Sequence, residues 1–168
     1  MRPSRVQNVS MSETPVSPEW WFYHLSRTTL EQAAAPLMAK CLEAGWRVLA
    51  VSPNSERRAA LDAALWTYDD QSFLPHGQAE APGLDATRQP VLLSAKADNV
   101  NGAAALVLMD GVEVPVDAPY TRCMVMFDDG DSGARTKARA QFKAAKDAGL
   151  VTRYFQQTPK GGWSEAGV

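Results

Sequence analysis

The sequence predicts a three-layer α/β domain in which a largely parallel sheet carries helices on both faces. Short apolar or aromatic segments, which are typical of buried strands, recur along the chain. Three of them are followed by helical segments, and strand–helix–strand units of this kind build parallel sheets. The 168 residues suffice for one domain with its own core. We expect that domain to span 19–163, after a disordered leader at 1–18 and before a loose end at 164–168.

The first half of the domain is predicted to contain two strand–helix units. The aromatic run WWFYHL at 20–25 suits a buried strand, and the helix after it covers about 30–44. Gly45 is placed to end that helix. The second strand is RVLAV at 47–51, and the helix after it runs from Ser55 to about Trp66.

The second half is predicted to contain four strands and one helix. The strands cover 91–94, 103–109, 122–127 and 151–156. The helix runs from about Gly133 to Ala148, and Gly149 is a typical helix stop. The segment 77–89, rich in Gly, Pro and small residues, has neither a helical nor a strand period and is predicted to be a loop.

The end of the second helix and the loop after it carry many large apolar side chains. They are Trp66, Tyr68, Phe73 and Leu74, with His76 beside them. Such a segment either closes over a core or presents anchors to a partner, and aromatic anchors dominate interface energetics. The residue types leave both alternatives open.

Composition restricts the classes of protein that the chain can belong to. The net charge of -2 makes the whole molecule a poor electrostatic match for nucleic acid, so a polyanion would need a local patch. No run approaches the ~20 apolar residues of a membrane span, and the polar first residues do not form a signal peptide. Cys41 and Cys123 are interpreted as buried, reduced thiols of a cytoplasmic protein, although one disulfide in another compartment is the alternative.

Five side chains share one face of the last predicted helix, at about 100° per residue. They form a basic stripe that consists of Arg135, Arg139, Phe142, Lys143 and Lys146. Asp147 is the only acid inside the helix, so few cations should be neutralised by i,i+4 pairs. A solvated face is the simplest interpretation. However, a ring among cations suits an apolar and anionic ligand, such as an acidic peptide with a terminal carboxylate or single-stranded nucleic acid.

The opposite sector of the same helix carries thin side chains. They are Ala134, Ala138, Ala144, Ala145 and Ala148. We expect this alanine face to lie close against the sheet, which turns the basic face outward.

The motifs of phosphate binding and of nucleophilic catalysis are missing from the sequence. There is no GxxxxGK[ST], no GxGxxG after a strand and no GxSxG, so we expect no catalytic site and no cofactor. His24 is interpreted as a core residue and His76 as a hydrogen-bonding loop residue. Three acids, Asp128, Asp129 and Asp131, precede a helix, where an N-cap and negative charge are favourable, so we interpret them as structural rather than metal-binding.

Several segments, in this order, resemble the chi subunit of bacterial DNA polymerase III. They are FYHL, LDAALWTYDDQSFLPHG, QPVLL, ALVLMDG, and a strand ending in phenylalanine before a basic helix that closes with AG. The LDxxLW…SFxPH block is the most specific of them. The resemblance covers about Phe22 to Trp163.

The resemblance implies a function that the residue pattern alone does not. It implies a nucleotide-binding-like α/β fold that lacks a phosphate loop, and a non-catalytic accessory subunit of the replicative polymerase within the clamp-loader assembly. Such a subunit binds the acidic C-terminal tail of single-stranded DNA-binding protein. Arg135, Arg139 and Phe142 match the tail-binding positions, although the enterobacterial form has Lys and Tyr in place of Arg135 and Phe142. Trp66 matches a tryptophan at the helix end, and we expect it to wall an apolar pocket for the tail together with Phe142. Lys143 and Lys146 are expected to belong to the same tail site.

The resemblance also implies a second partner. Phe73, followed here by Leu74, matches the face that meets the psi subunit or a competing helicase. Two other functions remain as alternatives: direct binding of single-stranded nucleic acid by the basic stripe, and a small-molecule or nucleotide-using enzyme with its site at the carboxyl ends of the strands.

Overall fold

One eight-stranded sheet runs through residues 17–68 and 74–166, which are the part of the chain that the computed structural model describes. The strands are β1 (Glu19–Leu25), β2 (Val48–Val51), β3 (His76–Gln78), β4 (Val91–Ser94), β5 (Ala105–Leu108), β6 (Arg122–Asp128), β7 (Thr152–Gln157) and β8 (Trp163–Ala166). The helices are α1 (Leu30–Glu43), α2 (Ser55–Thr67) and α3 (Ser132–Asp147). Ala86–Arg88 forms one turn of 3₁₀ helix.

The strands lie in the order β3-β4-β2-β5-β6-β1-β7-β8, and every neighbouring pair is parallel except β7 with β8. The chain passes from β6 through α3 to β7, and β1 lies between these two strands. Because such a crossover packs its helix over the strands that it bridges, α3 lies above β1. Its contacts with β6, β1 and β7 agree with this position.

The side chains of the sheet form two separate cores, one on each face. Leu30, Met38 and Leu61 belong to the core under α1 and α2. The core under α3 contains Trp20 and Phe22, together with apolar residues of the loops before β4, β5 and β6. The three-layer α/β prediction is therefore confirmed.

Each helix begins at a side chain that caps it. Thr29 forms a capping box with Gln32 at α1, the Asn54 side chain accepts from the N–H groups of Glu56 and Arg57 at α2, and Asp131 accepts from Ala134 at α3. These caps satisfy N–H groups that have no partner inside the helix. The interpretation of Asp131 as a structural acid is thereby confirmed.

Two elements differ from the sequence prediction. β3 begins at His76 and overlaps the start of the segment 77–89 that was predicted to be a loop; a strand of three residues is too short to show a period. β8 lies where a loose end was expected: the chain turns back between Thr158 and Gly162 and pairs antiparallel with β7. The Trp163 ring packs 5.1 Å from that of Tyr23, which anchors the strand.

Both cysteines are free thiols and are buried, as predicted. Burial raises the pKa of the Cys123 thiol to about 12 and also raises that of Cys41. Within the described residues no helix is both long and apolar enough to cross a membrane. Most of the predicted leader, and Phe73, lie outside the described residues.

Candidate functional site

The buried face of α3 is narrower than the alanine pattern predicted. Ala134, Ala138 and Ala145 are buried, as expected, and Gln141 completes the face. Ala144 and Ala148 are exposed, so their predicted burial is wrong. The three small buried side chains let the helix lie close to the sheet, which brings the neighbouring Phe142 to the helix edge.

Phe142 is half-buried, and it packs against two aromatic side chains of the sheet. Its ring lies 5.2 Å from that of Phe22 on β1 and 6.0 Å from that of Tyr154 on β7, both in edge-to-face geometry. Outside the ring a cavity of about 440 Å³ opens between α3 and the β7–β8 edge. It is lined by Arg139, Phe142, Tyr154, Gln156 and Ala166.

The four cations of the predicted stripe fall into two classes. Arg139 is exposed and makes no ion pair or side-chain hydrogen bond to any described residue, and the Lys146 ammonium lies 5.7 Å from the centroid of Phe142. Arg135, in contrast, lies 3.3 Å from Asp129, and Lys143 lies 2.8 Å from Asp147. The expectation that carboxylate partners would be scarce is therefore only half right. Exposed pairs of this kind are screened by solvent and contribute little to stability, so an incoming anion can exchange for them.

Asp129 belongs to a small polar network at the carboxyl end of β1. The Nε2 atom of His24 lies 2.7 Å from Asp129, and its Nδ1 atom lies 2.9 Å from the Tyr154 hydroxyl. The hydrogen bond to His24, with the charges of His24 and Arg135, lowers the pKa of the Asp129 carboxyl. His24 is half-buried and satisfied by these two partners, so it is a linking residue rather than the core residue that we expected.

Burial raises the pKa of Tyr154, and the nearby guanidiniums of Arg139 and Arg135 oppose that rise. The hydroxyl therefore stays neutral and can donate a hydrogen bond near physiological pH. Tyr154 and Gln156 lie on the floor of the cavity but were not among the predicted site residues. The alternation of side chains along a strand places both on one face of β7. They were missed because no sequence pattern within β7 shows that this strand pairs with β1.

Trp66 lies on the other side of the molecule from Phe142. Helix α2, which carries it, packs on the opposite face of the sheet, and its ring lies 5.2 Å from that of His76 on the edge strand β3. Five strand spacings, about 24 Å, separate β3 from β1. The expectation that Trp66 and Phe142 wall one pocket is therefore wrong, because helix and strand order keep them apart.

The region around Trp66 remains an exposed aromatic surface. Trp66 is 57% exposed and Tyr68 44%. Leu74, in contrast, is buried in the core, so its side chain is not accessible to a partner, contrary to our expectation. His76 is held between the Leu74 carbonyl at 2.6 Å and Asp62 at 2.9 Å, as expected of a hydrogen-bonding residue.

Another polar cluster stands at the carboxyl ends of β2 and β5, where open α/β sheets bind ligands. Arg57 donates to Asp110 at 3.2 Å and to Glu31 at 2.7 Å, and the Ser52 hydroxyl donates to Asp110 at 2.5 Å. These groups satisfy one another and link α1, α2 and the end of β5. Among the described residues, no three His, Cys, Asp or Glu side chains are grouped so that they could hold a metal ion.

Two comparisons with known proteins agree with each other. The model of one protein family, described as DNA polymerase III chi subunit, HolC, matches residues 18–153. A protein of Rickettsia prowazekii (strain Madrid E) named "Probable DNA polymerase III subunit chi" is 26% identical over 92 residues. That alignment covers 55% of this chain and 54% of the relative, so the chain matches about half the length of the relative.

Proposed function

The chain belongs to the DNA polymerase III chi subunit family, and we propose that it is a non-catalytic accessory subunit of that polymerase. It joins the clamp-loader assembly to single-stranded DNA-binding protein by binding the acidic C-terminal tail of the latter. Its place of action is the cytoplasm, where the polymerase works.

The observation that carries this proposal is the cavity beside Phe142. It combines an aromatic floor, made by Phe142 and Tyr154, with Arg139, a cation that no described carboxylate neutralises. Such a combination suits a chain end that has an apolar side chain next to a carboxylate. Arg135 and Lys143 add two cations whose exposed ion pairs can be exchanged.

The same geometry argues for a peptide rather than for single-stranded nucleic acid. Nucleic acid binding needs a track of phosphate contacts and open ring faces. Here the stripe has four cations, all on one helix of a molecule with a net charge of -2, and Phe142 is packed edge-on against the sheet. The binding of one short peptide tail to this cavity should have a dissociation constant on the order of micromolar and should weaken as salt is added.

The test is calorimetry with a synthetic peptide of the single-stranded DNA-binding protein tail. Arg139→Ala should weaken binding by about tenfold or more, because a charge-assisted hydrogen bond is lost. Lys137→Ala, on the same helix but outside the stripe, is the matched control and should bind like the unaltered chain. Unchanged binding by Arg139→Ala, with an unchanged melting temperature, would remove the proposal. A gel shift with a single-stranded oligonucleotide and this chain alone tests the alternative of direct nucleic acid binding.

A second partner, the psi subunit or a helicase, is proposed for the aromatic surface around Trp66. That surface includes Tyr68, and Phe73 follows it in the chain. In a pull-down from the source cell, Phe73→Ala and Trp66→Ala should lose this partner but keep single-stranded DNA-binding protein. Arg139→Ala should show the reverse pattern. Loss of both partners from either variant would contradict two independent surfaces.

A further inference from the structure

A second groove, of about 470 Å³, lies on the sheet face opposite to α3, beside α1. It is lined by the buried Tyr23 and by four further aromatic side chains: Trp21 on β1, Trp46 after α1, Phe155 on β7 and Trp163 on β8. All four rings are half-buried, so that part of each ring is accessible. Neither the proposed tail site nor the surface around Trp66 includes any of them.

One cation inside this groove has no acidic partner among the residues that the structure describes. The guanidinium carbon of Arg122 lies 3.5 Å from the ring centroid of Trp21 and 5.0 Å from that of Trp46. Its Nε atom is buried without a hydrogen bond, and no described carboxylate forms an ion pair with it. Arg122 is half-buried, and its guanidinium has five N–H donors, of which the buried Nε–H favours a hydrogen-bonded acceptor over ring contacts alone.

The other charges around the groove are engaged or at its rim. Arg153 makes a two-pronged ion pair with Glu165 at 2.7 and 2.8 Å, and Glu19 accepts from the Trp21 indole at 3.0 Å. Lys40, which also lines the groove, is exposed and makes no ion pair with a described residue. The neutral indole does not cancel the charge of Glu19, but Arg122 and Lys40 outnumber this one carboxylate, so the open charge of the groove is positive in a molecule whose net charge is -2.

The geometry points to a binding site for an acidic segment of a partner protein, with a carboxylate next to a bulky apolar side chain. The carboxylate accepts two N–H bonds from Arg122, and the apolar side chain packs against Phe155 and Trp163. The cavity volume is within the range of sites that hold small ligands or a few side chains. This inference does not depend on the proposed tail site, which lies on the other face of the sheet.

Single-stranded nucleic acid fits the groove less well. Guanidiniums from both neighbouring strands, Arg122 of β6 and Arg153 of β7, already contact the Trp21 ring, so a base has little of that ring to stack on. One open cation inside and one at the rim are also too few for a phosphate track.

The test is a nuclear magnetic resonance titration of the full chain, labelled with nitrogen-15. The chain carries Arg139→Ala, which removes the proposed tail site. The probe is the acetylated, amidated peptide Glu-Leu-Glu-Phe, and its control is Gln-Leu-Gln-Phe. The five tryptophans supply the readout: Trp21, Trp46 and Trp163 line the groove, whereas Trp20 lies in the opposite core and Trp66 at the far edge of the sheet.

The acidic peptide should shift the indole signals of the three groove tryptophans and leave those of Trp20 and Trp66 in place. Arg122→Met, which keeps the apolar stem, should weaken the binding by about tenfold or more, and Arg122→Lys by less. If Arg122→Met does not fold, the glutamine peptide still tests the charge in the unaltered groove. Equal shifts by both peptides, no groove shifts at millimolar peptide, or stronger shifts of these signals by oligothymidylate would each overturn the inference.

Discussion

Arg135 and Arg139 lie one helical turn apart and share a face, yet their surroundings differ. Arg135 pairs with Asp129, which is also hydrogen-bonded to His24, whereas Arg139 faces the cavity beside Phe142 without a described carboxylate. Their spacing on the stripe could be predicted, because helix geometry is local and periodic. The pairing of Arg135 could not, because Asp129 lies outside the helix and its position depends on the loop that follows β6.

Removing the competing acid should strengthen tail binding. Asp129→Asn frees Arg135 for the incoming anion, and because solvent screens an exposed ion pair, the affinity should rise only by about two- to fivefold. Calorimetry with the tail peptide measures this change. Asp147→Asn, which frees Lys143, is the matched variant, and weaker binding by both variants would contradict the role given to these cations.

The pH dependence of the Asp129 contact follows from the direction of its pKa shift. The pKa of the Asp129 carboxyl is lower in the folded state than in the unfolded state. The contact therefore contributes its full stability above the unfolded-state pKa of this carboxyl and loses it as the pH falls through the folded-state pKa. Acid titration of the unaltered chain should therefore release Arg135 below the ordinary range of aspartate. Nuclear magnetic resonance signals of Tyr154 and His24 measure this transition, and in Asp129→Asn these signals should lack it.

At the scale of elements, α3 lies close to the sheet because of three small side chains. The sequence pattern could predict the helix and an alanine face, since both are local. It placed Ala144 and Ala148 on the buried side, because five alanines spread over a wide sector and only contact with the sheet selects which of them are covered. The cavity depends on this selection, since it sets how near Phe142 comes to Tyr154.

Enlarging a buried alanine of α3 should disturb both stability and binding. Ala145 is fully buried, so Ala145→Leu should cost about 1–3 kcal/mol of unfolding free energy and weaken tail binding by displacing Phe142. Ala144→Leu, one residue earlier and exposed, should change stability by no more than about 0.5 kcal/mol. Chemical denaturation and calorimetry on both variants check this. If both variants lost the same amount of stability and binding, this would contradict the observed orientation of α3, in which Ala145 faces the sheet and Ala144 faces solvent.

For the whole molecule, strand order decides which predicted residues meet. Strands and helices were largely predictable because their signals lie within each segment. The order β6-β1-β7 was not, because it depends on crossovers between residues far apart in sequence. This explains why Phe142 was recognised from its helix while Tyr154 was not, and why Trp66 was assigned to a pocket on the wrong face.

The separation of the two surfaces predicts independent effects. Trp66→Ala should leave the affinity for the tail peptide within about twofold of the unaltered chain, since sites this far apart rarely couple. Adding Arg139→Ala should then give the same loss as in the unaltered background. Calorimetry on the four chains measures the coupling. A strong dependence of one substitution on the other would show that the two faces communicate.

The two buried cysteine thiols have a practical consequence for measuring how partners bind. Because burial keeps Cys41 and Cys123 protonated at neutral pH, neither should react readily with maleimide dyes while the chain is folded. A cysteine introduced at an exposed site, such as Ala144, would then be the preferred point of attachment without prior removal of the native ones. Fluorophores placed in this way could report the arrival of each partner in real time.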